Sequence, residues 1–357
     1  MTESIPRTPR RHRGLDVLRV VAIVGVVSIH TFGALRTSPE IQGTASWWVA
    51  VALNAGFIWA VPVFVMISGA LLLGERPHRH GPMDFYRRRL MRLAPAFVFW
   101  QVFYLIVVRQ WLSGLHEGPG AIAALLLRGE PYTHLYFLWL IVGLYIVSPV
   151  LRAFMSGGGR RRAVMLAAGA LLITVLTYSS AALLTWAGHP TRLTLLALTQ
   201  WVPYVGYFVA GYALRDVRLK GAALAACAGV VILALAWTVF QAGAVPPGSF
   251  VSAALSQSYL GPVTVVLAIA LFVGVNSVFR SEASAGHARI LVTLSDATFG
   301  VYLVHFVLLI LVRSLPWFST AATTSVATGT LVWVIVVVLS FAIVIPLRRV
   351  PFIRRLF

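Results

Sequence analysis

Residues 14–35 read GLDVLRVVAIVGVVSIHTFGAL. The run is long enough to cross a bilayer, because ~20 apolar residues span ~30 Å of hydrocarbon as a helix. It nevertheless carries Asp16, Arg19 and His30. Ionisable groups within a spanning helix are costly and are usually kept for function. At ~100° per residue, Arg19 and His30 fall within ~20° of each other around the axis and ~16 Å apart along it. Asp16 stands one turn before Arg19, within ~60° of both. One stripe therefore stacks an acid, a fixed cation and a titratable imidazole from one membrane face towards the interior.

The rest of the chain agrees with a membrane setting. It is 59% hydrophobic and 11% charged over 357 residues, with a mean hydropathy of +0.87. A soluble domain carries ~25% charged residues. The expected fold class is all-α: a polytopic membrane protein of about ten transmembrane helices. The net charge of +19 does not indicate nucleic-acid binding, since the arginines sit in short segments between apolar runs, as topology signals do. The single cysteine, Cys227, excludes an internal disulfide. Arg7, Arg10, Arg11 and Arg13 precede the first apolar run in the manner of a secretory signal. That run is too long and too charged for one, and it reads as an uncleaved first span.

Ten spans can be drawn, at about 15–35, 48–74, 91–112, 134–154, 163–186, 199–215, 221–243, 257–279, 294–314 and 322–347. With the N-terminus inside, 23 Lys and Arg residues fall on the cytoplasmic side and five on the outer side, namely Arg36, Arg109, Arg128, Arg192 and Arg313. This bias predicts both termini in the cytoplasm. The chain divides into a basic tail (1–14), a membrane domain (15–347) and a second basic tail (348–357). The longest outer loop, 113–133, holds a short helix through AIAALLLR.

Three further groups bear chemistry. Arg87, Arg88, Arg89 and Arg92 gather at the cytoplasmic start of span 3. Headgroup anchoring accounts for many juxtamembrane arginines. Arg89 and Arg92, however, share a helical face, and paired guanidinium forks suit a polyphosphate. Tyr302 and His305 lie one turn apart on span 9, where Ser295 or Asp296 is expected to cap the helix start. From the residues alone this pair reads first as a buried structural contact. Trp139 and Tyr136 on span 4 read as interfacial aromatics, while Glu130 and Arg128 lie on the preceding outer loop. The sequence holds no G-x-S-x-G, no H-E-x-x-H, no P-loop and no Cys/His metal spacing, so hydrolase, zinc-enzyme and ATP-driven readings lack support.

In order along the chain stand RGLDVLRVVAIVGVVSIH with its R-x10-H spacing, VPVFVMISGALLLG, RRRLMRLAPAF with its R-x-x-R element, YFLWLIVGLYIVSP and FGVYLVH. Together they resemble the acyltransferase-3 family of integral membrane O-acyltransferases over residues 14–347. Span 4 departs from the family pattern in the order of Leu138 and Trp139. The resemblance extends to no soluble esterase-like domain of the kind fused to some members.

The resemblance implies transfer of an acyl group, usually acetyl, from cytoplasmic acyl-CoA to a hydroxyl of a surface glycan, glycan precursor or small molecule. Acetyl-CoA or another acyl-CoA is then a co-substrate, with no permanently bound cofactor and no metal. The expected location is a bacterial inner membrane. His30, Arg19 and Asp16 are expected at the catalytic centre, His30 as general base or acyl carrier, with Asp16 orienting Arg19. Arg89 and Arg92, with Arg88 beside them, are expected to hold the CoA phosphates. Tyr302, His305, Trp139 and Glu130 are expected near the acceptor. The competing reading is a proton-coupled transporter or flippase of a glycan precursor or small metabolite, with His30 and His305 as relay. A five-plus-five inverted repeat would favour it, but span 6 has no counterpart of the Asp16–Arg19–His30 stripe.

Overall fold

The protein is described here from a computed structural model covering residues 12–279, 285–319 and 321–357. The tail arginines Arg7, Arg10 and Arg11, and Arg280, lie outside the described residues. The helices are α1 (Arg13–Arg36), α2 (Ala45–Ala55), α3 (Ala60–Leu72), α4 (Glu75–His78), α5 (Gly81–Phe103), α6 (Pro119–Arg128), α7 (Tyr136–Ser156) and α8 (Gly159–Trp186). They continue as α9 (Val205–Leu214), α10 (Gly221–Ala244), α11 (Phe250–Ala254), α12 (Pro262–Val278), α13 (Ala285–Arg313), α14 (Ala321–Thr324) and α15 (Val326–Leu347). A π-helical turn, Tyr104–Leu112, extends α5. Among the described residues no strand is present, and eight helices or helix pairs are long and apolar enough to cross a membrane. Two further expected spans, 199–215 and 257–279, are shorter apolar helices, Val202–Leu214 and Pro262–Val278.

α1 lies at the centre, packed against α2, α3, α12, α13 and α15. Its position follows from a face that is apolar nearly all round and small where neighbours approach. A Cβ at Gly25 would collide with the Phe57 ring, which projects from the break between α2 and α3. The expected span 48–74 is thus two helices meeting α1 at an irregular turn. α3 and α9 approach still more closely, because a side chain at Gly69 would meet the Phe208 backbone and one at Gly211 the Met66 backbone. Between helices in lipid, such small-residue contacts supply the packing that hydrophobicity does not. α10 lies at the rim with Ile232 and Leu233 exposed, as suits a helix facing lipid.

α13 departs from expectation at its start. It is already helical at Ala285, so Ser295 lies in its interior and caps nothing. The Ser295 hydroxyl instead donates to the Asp16 carboxylate at 2.6 Å, fastening α13 to the first turn of α1. The expected loop helix is present as α6, ended by Gly129 in the left-handed conformation at φ 72°. On the side of Arg13, the Arg152 guanidinium joins α7 to α4 through Glu75 at 3.1 Å and to α9 through Tyr212 at 3.0 Å.

Candidate active site

A cavity of about 640 Å³ runs between these helices. Arg19, Arg89, Arg92 and Arg348 line one end; His30, His134, Glu130 and Thr133 line the other. Arg19 and His30 both stand on α1, eleven residues and hence ~16 Å apart along the helix. Tyr145, Phe299 and Tyr302 line the stretch between.

The histidine end is a cage built from three separate elements. His30 comes from α1, His134 from the turn before α7, and His305 from α13. The His305 ring centroid is 5.5 Å from that of His30 and 5.1 Å from that of His134, which are 6.4 Å from each other. His305 is therefore the nearer neighbour of both. Phe306 closes the cage, stacked on His134 at 5.4 Å and edge-on to His30 at 4.9 Å. His134 and His305 are buried, whereas His30 is partly open to the cavity.

Each ring is held by its backbone surroundings. On α1, Ser28 donates to the Leu53 carbonyl at 2.7 Å and the Ile29 carbonyl accepts from Asn54 at 2.8 Å. Just past His30, the Thr31 carbonyl accepts from the Arg313 guanidinium at 2.5 Å. The Tyr302 hydroxyl donates to the His134 carbonyl at 2.6 Å. His305 Nδ1 lies 2.7 Å from the Tyr302 carbonyl and 3.2 Å from that of Val301. A carbonyl only accepts, so Nδ1 carries the proton and Nε2 presents a lone pair. That Nε2 is buried without a hydrogen-bond partner, as are both ring nitrogens of His134.

Tyr104 anchors α13 on either side of His305. The Tyr104 hydroxyl donates to the Leu303 carbonyl at 2.8 Å and accepts from the Val307 N–H at 3.3 Å. These are the two groups that helix geometry pairs with each other, so the Tyr104 hydroxyl is fastened to one rung of α13, which stays helical throughout. Tyr104 opens the π turn that follows α5, and such turns recur at functional sites.

At the arginine end, Arg89 stacks over the Phe85 ring at 5.6 Å, and its Nε is buried without a partner. Arg19 stands 3.9 Å from the buried Asp16 carboxylate, which Ser295 also engages. Asp16 thus orients Arg19 and is remote from His30. Arg88 does not face the cavity; it pairs with Asp84 at the surface. Trp139 is likewise outside the cavity lining, packed edge-on against Phe97 at 4.8 Å. Glu130 and Tyr302 line the cavity, and His305 sits behind its wall.

Two residues of this region carried no expectation of a site. His134 stands directly before span 4, where its only local signal is its position next to YFLWLIVGLY. Arg313 reads from sequence as an outer topology charge, yet its guanidinium reaches the residue after His30 and its Nε is buried without a partner. Among the described residues no group of three or more His, Cys, Asp or Glu side chains has metal-site geometry, the three-histidine cage included.

A family profile described as "Acyltransferase domain" matches residues 12–349. No curated protein and no solved structure matches the chain.

Proposed function

Because the chain belongs to the acyltransferase-3 family of membrane acyltransferases, we propose that it carries acyl groups, acetyl foremost, from cytoplasmic acyl-CoA to a hydroxyl of a surface glycan, glycan precursor or small molecule. The observation that carries this reading is the single cavity with guanidinium groups at one end and the histidine cage at the other. Coenzyme A has the matching form: a phosphate-rich nucleotide, a long pantetheine arm and a reactive thioester. In this reading the N-terminus lies in the cytoplasm and the arginine end opens there, in a bacterial inner membrane.

Arg89, Arg92 and Arg19 hold the donor phosphates by charge-assisted hydrogen bonds. The arm extends along the cavity and brings the thioester to His30, over the ~16 Å that separates Arg19 from His30. His30 acts as general base. Its ring neighbours that of His305 at 5.5 Å and is open to the cavity, where a ring nitrogen meets the substrate. His30 takes the proton of the acceptor hydroxyl as the oxygen attacks the thioester carbonyl carbon. The C–O bond forms, the C–S bond breaks, and the thiolate takes the proton back from the imidazolium. The products are an ester and free CoA thiol, with His30 restored. Glu130, at the same end of the cavity, meets the acceptor.

The test is donor-dependent thiol release by purified protein in liposomes, supplied with acetyl-CoA and hydroxyl-bearing extracts of host surface glycan. Acceptor-dependent release supports the reading. Absence of both release and coenzyme A binding would overturn it.

A further inference from the structure

Residues 348–357 have so far served only as a source of positive charge. Their course is more specific. Arg348, the first residue beyond α15, lines the cavity. Burial lowers its pKa from the ordinary arginine value, with Asp296 of α13 opposing that shift and Arg92 of α5 adding to it. Arg348 therefore stands among the charged groups of the arginine end. The chain then turns, and Ile353–Leu356 form a 3₁₀ turn packed on α5. Trp100 Nε1 donates to the Leu356 carbonyl at 2.8 Å. The Phe357 ring lies 5.8 Å from that of Trp100 and lines the cavity. It also abuts α13, where a Cβ at Gly300 would stand 3.1 Å from a Phe357 ring carbon.

Helical register fixes the depth of Phe357. Trp100 is eight residues beyond Arg92 on α5, hence ~12 Å further in. Gly300 is five residues before His305 on α13, hence ~7.5 Å short of the cage. Phe357 therefore borders the cavity between the arginine end and the histidines.

We propose that residues 348–357 form a wall of the donor channel, in which Arg348 binds a phosphate of the acyl-CoA and Phe357 packs against its pantetheine arm. This rests on the acyl-CoA reading above. The division of labour follows from chemistry. A guanidinium fork matches phosphate geometry, and an aromatic face suits an arm of methylenes and amides.

Two probes separate the two contacts. Coenzyme A carries both phosphates and arm, whereas S-acetylpantetheine carries the arm alone. Binding of coenzyme A and the KM for each acetyl donor would be measured for the full chain in liposomes, as wild type, Arg348→Ala and Phe357→Ala. Arg348→Ala is expected to weaken coenzyme A binding about tenfold, the effect of one charge-assisted bond, and to leave the KM for S-acetylpantetheine unchanged. Phe357→Ala is expected to raise the KM for both donors by a similar factor. Phe357→Leu, which keeps an apolar side chain in place, controls for loss of folding and should restore most of the affinity. Folded variants that handle both donors like wild type would overturn the inference and leave the acyl-CoA reading standing. A wild-type protein that binds no coenzyme A would overturn the reading itself, and this inference with it.

Discussion

His305 stands 5.5 Å from His30, ring centre to ring centre, with its Nδ1 bound to the Tyr302 carbonyl and its Nε2 left bare. A neutral imidazole fixed in that tautomer can only accept at Nε2. It offers a neighbouring imidazole the acceptor that a carboxylate would, without placing a negative charge in the membrane. That avoids the large cost of an unpaired buried anion.

His305→Phe should lower kcat by about 10- to 100-fold, a share of the contribution that acid–base catalysis makes. The KM for acyl-CoA should stay within about twofold, because His305 lies behind the cavity wall. Steady-state thiol release measures both. A changed KM with an unchanged kcat would remove His305 from the positioning role.

Tyr104→Phe tests the hydroxyl that fastens α13. Without it, the Leu303 carbonyl and the Val307 N–H keep each other as helix partners, so the stability loss should be only ~1 kcal/mol. The turn carrying His305 loses its anchor, and kcat should fall about tenfold. Thermal unfolding together with turnover gives the comparison. A variant with full activity would show that this anchor has no bearing on the cage.

Gly211→Ala should destabilise the bundle by ~1–3 kcal/mol or more, the range for overpacking in a well-filled core. The new methyl would run into the Met66 backbone, where α9 crosses α3. Thermal unfolding in detergent reads the loss. Gly229→Ala on α10, with open space around it, is the control and should not destabilise.

The loop before α6 offers a pH-dependent contact. Arg109 donates to Glu117, and this hydrogen bond, ahead of the charge attraction, holds the Glu117 carboxyl below its usual pKa. A carboxylate with a depressed folded-state pKa contributes stability above its unfolded pKa of ~4.3 and loses it as pH falls through the folded value. Glu117 is only partly buried and solvent screens the pair, so the effect is small. Glu117→Gln should lower the unfolding temperature slightly at pH 7 and by less near pH 3. An equal effect at both pH values would contradict the ion-pair account.

The parts of this arrangement that lie on one helix could be read from one helix. The eleven-residue interval of Arg19 and His30 follows from periodicity alone, and so does the shared face of Arg89 and Arg92. The apolar runs and their arginine borders were equally plain, because lipid imposes them. The cage was not legible. His134 meets His305 across 171 positions of sequence, and no local pattern encodes a contact between a loop and a distant helix. Arg313 was hidden for a related reason: a guanidinium that reaches back into the bundle has the same spacing as one that marks an outer loop. The expected cap at Ser295 failed because an 18- to 20-residue window finds where a helix becomes apolar. It does not find where the helix begins, and α13 is helical from at least Ala285.

In the proposed function His30, at the end of an arginine-mouthed cavity, is the centre of acyl transfer. The most direct test compares wild type with His30→Gln in liposomes, measuring acceptor-dependent thiol release from acetyl-CoA alongside equilibrium binding of coenzyme A. Turnover should fall by at least ~100-fold, the lower end of what general acid–base catalysis supplies, while coenzyme A binds as in wild type. Turnover that persists in a folded His30→Gln protein would contradict that assignment.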